Sequence, residues 1–189
     1  PAEVAAEADL ARVTHDGEVA YLARQPTVRL GPATVALPAG AFLQATPQAE
    51  AAMVAMAAEA AAGAERIADL FCGVGTFTFA LAQIAPVLAA DGAAPAVRAL
   101  NAAVATAPGL HGVTAEARDL TRRPVLAEEM KRIDTVVFDP PRAGAAEQSA
   151  EIARSGVARA IAVSCNPATF ARDARTLVDA GFTLERVLP

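Results

Sequence analysis

The run from residue 66 to 82, RIADLFCGVGTFTFALA, constrains this chain more than any other stretch. An apolar segment of strand character leads into a glycine turn, and the residues after the turn read as an amphipathic helix. Strand, tight turn and helix in that order form the repeating unit of α/β domains, and the turn is where nucleotide-type cofactors are cradled. Gly73 and Gly75 let the backbone pass close to a ligand, because no Cβ intervenes and a positive φ costs little. Asp69 falls at the carboxyl end of the strand, the edge at which open parallel sheets bind ligands. A dinucleotide fingerprint requires a third glycine at position 78, where this chain has Thr78.

The same unit repeats downstream. Residues 86–90 read as a second buried strand ending at Asp91, 94–105 as the following helix, and 112–117 as a third strand closed by Asp119. Residues 121–132 are polar and charged, and predict a loop with a short solvated helix around Pro124. A fourth strand, 133–138, runs into Asp139-Pro140-Pro141-Arg142-Ala143-Gly144, where two prolines fix an extended turn and remove two donors. A helix over 146–155, a fifth strand over 158–164, the turn Cys165-Asn166-Pro167, a helix over 169–180 closed by Gly181, and a sixth strand over 182–188 complete the pattern. Strands alternating with helices predict an α/β fold with a doubly wound, mostly parallel sheet. Ahead of it, short β-like runs at 19–22, 27–30 and 34–37, separated by Gln25-Pro26 and Gly31-Pro32, predict an antiparallel lead-in over residues 1–45. The main domain then occupies 46–189, opening with a helix from about 49 to 62 capped by Thr46 and Pro47.

In such a sheet Asp69, Asp91, Asp139 and Cys165 share one edge. Asp91 is placed to accept hydrogen bonds from ribose hydroxyls, and it reads equally as a helix cap. Asp119 falls where an adenine amino group needs an acceptor. A free cysteine is commonly a small buried hydrophobe, but Cys165 lies at the edge where the ligand crevice opens. Phe42 is expected to anchor the loop before the first helix, and Gln44 to reach a ligand or remain a solvated amide. The formal charge of −5, with Lys131 the one lysine, excludes an independent nucleic-acid binder and makes any such binding local. Two cysteines exclude a disulfide scaffold and a cysteine-only metal site, so a reducing cytoplasm is the expected setting. No apolar run is long enough to span a bilayer, and His15 and His111, flanked by loop signals, are expected at the surface.

The pattern Asp-x-x-x-Gly-x-Gly at 69–75 resembles motif I of class I S-adenosylmethionine methyltransferases. DLFCGVGTF at 69–77, FDPPRAG at 138–144 and VSCNPATFARD at 163–173, preceded by AFLQATPQAE at 41–50, resemble the RNA uracil-5-methyltransferase family across roughly residues 27–189. The resemblance implies S-adenosylmethionine as methyl donor and a uridine of RNA as target, with ribosomal RNA preferred over transfer RNA. It implies Cys165 as the nucleophile and Asp139 as an acid that contacts substrate. The implied cofactor-binding residues are Gln44, Asp69, Phe71, Gly73, Gly75, Thr76, Asp91, Asp119 and Asp139, with Gln44, Asp139 and Arg142 toward the substrate. Leu43 and Thr46 depart from the family pattern, which has a second phenylalanine and often an asparagine there. The family's general base, a glutamate, is expected past Pro189 and an RNA-binding portion ahead of the chain, so the sequence reads as the catalytic domain of a longer protein. Two other readings stay open: a methyltransferase acting on cytosine or an amino group, with Cys165 incidental, and a cofactor-binding domain without turnover.

Overall fold

The computed structural model describes residues 2–189. It begins with α1 (Ala2–Glu7) and two antiparallel hairpins, β1 (Arg12–His15) with β2 (Glu18–Leu22), then β3 (Thr27–Leu30) with β4 (Ala33–Ala36). The expected lead-in is thus two separate two-stranded sheets, and α1 and β1 are additions to the sequence reading. Arg12 donates to the carbonyls of Leu37 and Pro38 at 2.6 and 3.1 Å, tying the first hairpin to the exit of the second.

Helix α2 (Pro47–Ala60) starts at the predicted cap. Thr46 Oγ1 accepts from the Ala49 N–H at 3.2 Å, and Pro47 lacks only an N–H that the first turn leaves unused. There follow β5 (Ile67–Leu70), α3 (Thr78–Leu81), β6 (Val87–Asp91), α4 (Ala94–Val104), β7 (Val113–Ala117), β8 (Thr135–Phe138), α5 (Ala146–Ser155), β9 (Arg159–Ala162) and α6 (Pro167–Asp179). Strands β5 to β9 form one sheet in the order β7-β6-β5-β8-β9, parallel throughout. Chain order reverses between β5 and β8, the point at which doubly wound sheets open a crevice at their carboxyl edge.

Alternate residues of a strand point to opposite faces, and both faces of this sheet are covered. Ile67 of β5 joins a layer that holds Phe79, Val87 and Leu100 together with Leu30, Ala33 and Val35 of the second hairpin. Ala68 and Leu70 join the other layer, with Met130, Val136, Phe138, Ile152 and Leu177. The second hairpin therefore shares the core of the sheet.

Three expectations are corrected. Helix α3 is a single turn, and residues 82–84 continue as turns toward Pro86. Residues 121–132 contain no helix; turns there bury Val125 and Met130, and Gln148 of α5 brackets Val125, accepting from its N–H at 2.9 Å and donating to its carbonyl at 3.0 Å. Residues 182–188 form no strand, and Leu184, Val187 and Leu188 are exposed. An extended segment becomes a strand only beside a backbone that completes its ladder, and none of the described residues provides one.

Glycine at position 75 answers to packing. Its φ is +101°, and a Cβ there would meet the Phe79 ring at 2.7 Å and Leu100 at 3.1 Å, both in the core. Gly75→Ala is expected to cost about 2–4 kcal/mol, from overpacking plus left-handed backbone, read as a lower urea midpoint at unchanged slope. Gly73→Ala, whose Cβ would meet nothing within 4 Å, should cost about 1–2 kcal/mol from its backbone alone.

Candidate active site

The loops at the carboxyl edge enclose a cavity of about 580 Å³, within the ordinary range for a small-molecule site. One wall is the turn after β5. Phe71 takes a left-handed φ of +63°, a conformation that a bulky side chain holds only where its surroundings impose it. The N–H groups of Phe71 and Cys72 both point at the Ala90 carbonyl, at 2.8 and 3.2 Å, and the chain turns off the strand there. Gly73 follows with its Cα bare toward the cavity. Asp91 fixes this wall from the end of β6, with Oδ2 accepting from the Gly73 N–H at 2.9 Å and Oδ1 from the Ala93 N–H at 2.6 Å. It shapes the turn leading to α4, whose cap position is Ala93, and braces the glycine turn.

The far wall carries Asp119, Leu120 and Thr121. Asp119 Oδ1 accepts from the N–H groups of Thr121 and Arg122 at 3.0 and 3.3 Å, which shapes the turn after β7. Arg118 clasps the loop behind it. Its side chain is 14% exposed and spends all five N–H donors, on Glu116, on both oxygens of Glu129, and on the carbonyls of Arg123 and Pro124. The guanidinium holds the Glu129 carboxyl down at about 2.

The near wall is the Asp139-Pro140-Pro141-Arg142 turn after β8, together with Cys165. Asp139 is half-buried and Gln44 Nε2 donates to its Oδ2 at 3.0 Å, a bond across 95 positions of sequence. Burial pushes the Asp139 carboxyl above its ordinary range, and the Gln44 bond offsets part of that. The proline turn is pinned by α6. Asn166 Nδ2 and Thr169 Oγ1 both donate to the Arg142 carbonyl, at 3.0 and 3.3 Å, and Arg172 donates to the Ala143 carbonyl at 3.1 Å. Asp173 Oδ2 accepts from the Ala145 N–H at 2.7 Å. Asn166 also caps α6 by accepting from the Ala168 N–H at 3.1 Å, so one side chain starts the helix after Cys165 and holds the loop beside it.

Of the residues singled out from sequence, Gln44, Phe71, Gly73, Thr76, Asp91, Asp119, Asp139, Arg142 and Cys165 all line this cavity. Asp69 and Gly75 do not. Asp69 is 1% exposed and takes a hydrogen bond from Thr78 Oγ1 at 2.5 Å, behind the glycine turn. Phe42 is 75% exposed at the cavity's rim and anchors nothing, contrary to expectation. Cys72, not among the expected site residues, also lines the cavity; burial pushes its thiol pKa well up, and Asp69 and Asp91 add to that. No periodic signal marks such a residue, since it lies in a turn. His15 and His111 are exposed as expected. Among the described residues no helix is long and apolar enough to cross a membrane.

A parallel sheet with this strand order, a glycine turn braced by the neighbouring strand's aspartate, and a cavity across the switch point define a cofactor-binding α/β domain of the nucleotide-binding type. The comparisons with known proteins are narrower. The chain belongs to the tRNA (uracil-5-)-methyltransferase family, whose sequence profile matches residues 33–187. It is 64% identical over 188 residues to an uncharacterized RNA methyltransferase of Caulobacter vibrioides, covering 100% of this chain and 45% of that protein. It is 41% identical over 150 residues to the 23S rRNA (uracil(1939)-C(5))-methyltransferase of Chromohalobacter salexigens, covering 78% of this chain and 31% of that one. The chain thus spans less than half the length of the curated relatives it matches. Among solved structures it resembles the tRNA (uracil-54, C5)-methyltransferase of Pyrococcus abyssi in complex with S-adenosyl-L-homocysteine, with a TM-score of 0.71 and 26% identity over 88% of this chain and 42% of that one.

Asp69 gives the site a pH signature. Complete burial pushes its carboxyl up to about 7, against the pull of Thr78 and with added repulsion from Asp139 and Asp91. The folded chain then holds a proton that the unfolded chain releases near 4, so stability falls as pH rises from about 4 to about 7. Asp69→Asn should remove this component. Urea titrations at pH 4.5 and 7.5 should differ less in the variant than in the parent chain.

Proposed function

We propose that the protein carrying this chain is an S-adenosylmethionine-dependent RNA methyltransferase that forms 5-methyluridine through a covalent adduct of Cys165 with carbon 6 of uracil. One observation carries the reading: Cys165 and the Gln44–Asp139 pair open into the same cavity as the Gly73 turn braced by Asp91. The bare Gly73 Cα and the volume of the cavity fit a nucleoside cofactor, with Phe71, Gly73, Thr76, Asp91 and Asp119 as the residues that would hold it. S-adenosylmethionine supplies an electrophilic methyl group on a sulfonium.

The chain's own residues handle the base. Carbon 5 of uracil is a weak nucleophile, and addition of a thiolate to carbon 6 forms a C–S bond and moves the π electrons into an enolate with density on carbon 5. The positive end of the α6 dipole lies beside Cys165 and suits the thiolate. Asp139 as carboxylate accepts from the imide N3–H, and the Gln44 amide, released from Asp139, donates to a ring carbonyl. Once carbon 5 is methylated, a base must take its proton so that the C–S bond can break and the thiolate leave. A base inside a folded RNA has to be extruded to reach this cavity, which costs least from a single-stranded loop. The 41% identity to a ribosomal RNA enzyme favours ribosomal over transfer RNA as target.

The test uses the full natural protein. With labelled unmodified ribosomal RNA and cofactor, a denaturing gel should resolve a protein–RNA adduct that Cys165→Ala abolishes and Cys72→Ala retains. Release of 5-methyluridine by the Cys165→Ala variant at the parent rate would remove Cys165 from the chemistry. Calorimetry with S-adenosylhomocysteine should give binding weakened at least tenfold in Asp91→Ala.

A further inference from the structure

We infer that Arg142 is a phosphate subsite: its guanidinium receives the RNA phosphodiester next to the target uridine, on the ribose side of the base. This rests on the reading of the cavity as an RNA uracil site and adds the group that recognises the backbone. Among the residues lining the cavity Arg142 is the one cation, against the carboxylates of Asp91, Asp119 and Asp139. It is exposed, and among the described residues its side chain makes no hydrogen bond or ion pair. The cofactor's sulfonium and α-ammonium outweigh its one carboxylate, whereas the RNA is a polyanion, so Arg142 is assigned to the RNA.

Its position decides which anion. Arg142 and Cys165 lie on the same wall, and two bonds to the Arg142 carbonyl, from Asn166 and Thr169, fix its backbone relative to the residue just after the thiol. Carbon 6 of uracil is bonded to N1, and N1 bears the ribose. The end of the turn that is bonded to the segment after the thiol, Arg142, is therefore assigned to the sugar and its phosphate, and the end bonded to Gln44, Asp139, to the imide edge. The guanidinium is planar and presents paired donors that match two phosphate oxygens. The chain carries a net charge of −5, and a cation at the mouth locally reverses the field that would turn a polyanion away.

The test compares Arg142→Gln and Arg142→Lys with the parent sequence in the full natural protein, using single-stranded poly(U) as probe. Binding is measured across a series of KCl concentrations, and Cys165 alkylation by iodoacetamide is followed in parallel without RNA. Loss of one phosphate contact should lower the slope of log K against log salt by about 0.7 in Arg142→Gln and leave it unchanged in Arg142→Lys. Affinity near 0.15 M salt should fall about three- to tenfold in Arg142→Gln, with the alkylation rate unaffected. A slope in Arg142→Gln equal to that of the parent overturns the subsite, and a slower alkylation with it reassigns Arg142 to the thiolate. If the parent protein itself fails to bind poly(U), the RNA reading of the cavity falls, and the subsite falls with it.

Discussion

The site depends on the bonds that α6 makes to the turn after β8. That turn begins Asp139-Pro140-Pro141, and two prolines leave it with two fewer N–H groups to bond within itself. Rigidity has to come from outside, and Asn166, Thr169, Arg172 and Asp173, spaced along one side of α6, supply it through the carbonyls of Arg142 and Ala143 and the N–H of Ala145. Because Asn166 is also the helix cap, the register of α6 and the position of the proline turn are set together. The motif VSCNPATFARD therefore contains the proposed nucleophile, Cys165, and several residues that place it against a second motif 25 residues earlier in the chain. This is the usual division of labour at a site built from loops, where side chains just outside the reacting atoms determine geometry.

Carboxylates dominate the electrostatics of the opposite side. Asp91 accepts from the N–H groups of Gly73 in the neighbouring glycine turn and of Ala93 in its own, and Asp119 accepts from Thr121, which fixes the turns that line the cavity. Asp69 has a different situation. It sits on the strand face that belongs to Phe79 and Leu100, and among the described residues Thr78 is its one hydrogen-bonding side chain and no cation compensates it. Burying an uncompensated carboxylate is costly, and the group responds by keeping its proton to higher pH. Thr78, which breaks the dinucleotide glycine pattern, is the residue that satisfies it.

Much of this was legible from the chain alone. The parallel, doubly wound sheet follows from alternating strand and helix signals, while the order of its strands is known from the structure. The cavity-lining set follows largely from reading which residue ends each strand. What escaped the reading has physical causes. Gly75 and Asp69 lie inside the glycine motif but face the core, and a motif does not say which of its residues touch a ligand and which pack behind it. Phe42 was expected to be covered because it is aromatic, yet exposure is decided by what stands opposite a loop residue. The polar segment 121–132 hides two fully buried apolar residues, Val125 and Met130, whose contacts come from α5 and from the Arg118 clasp. Strand formation at 182–188 needs a neighbouring backbone, which a local pattern cannot supply.

The two cysteines illustrate how far chemistry is a matter of place. Both line one cavity and both follow a strand of the same sheet. Cys72 comes one residue after the left-handed Phe71; it is buried, with the carboxylates of Asp69 and Asp91 around it, and each of these disfavours a thiolate. Cys165 comes one residue before the Asn166 cap of a 13-residue helix, exposed at the mouth, with Arg142 on the same wall. Charge on sulfur is opposed at the first position by burial and by like charge, whereas the second position is open to solvent at the start of a helix. An anionic nucleophile that must meet a substrate arriving from solvent belongs at the second position, and a small apolar filler behind a glycine turn belongs at the first.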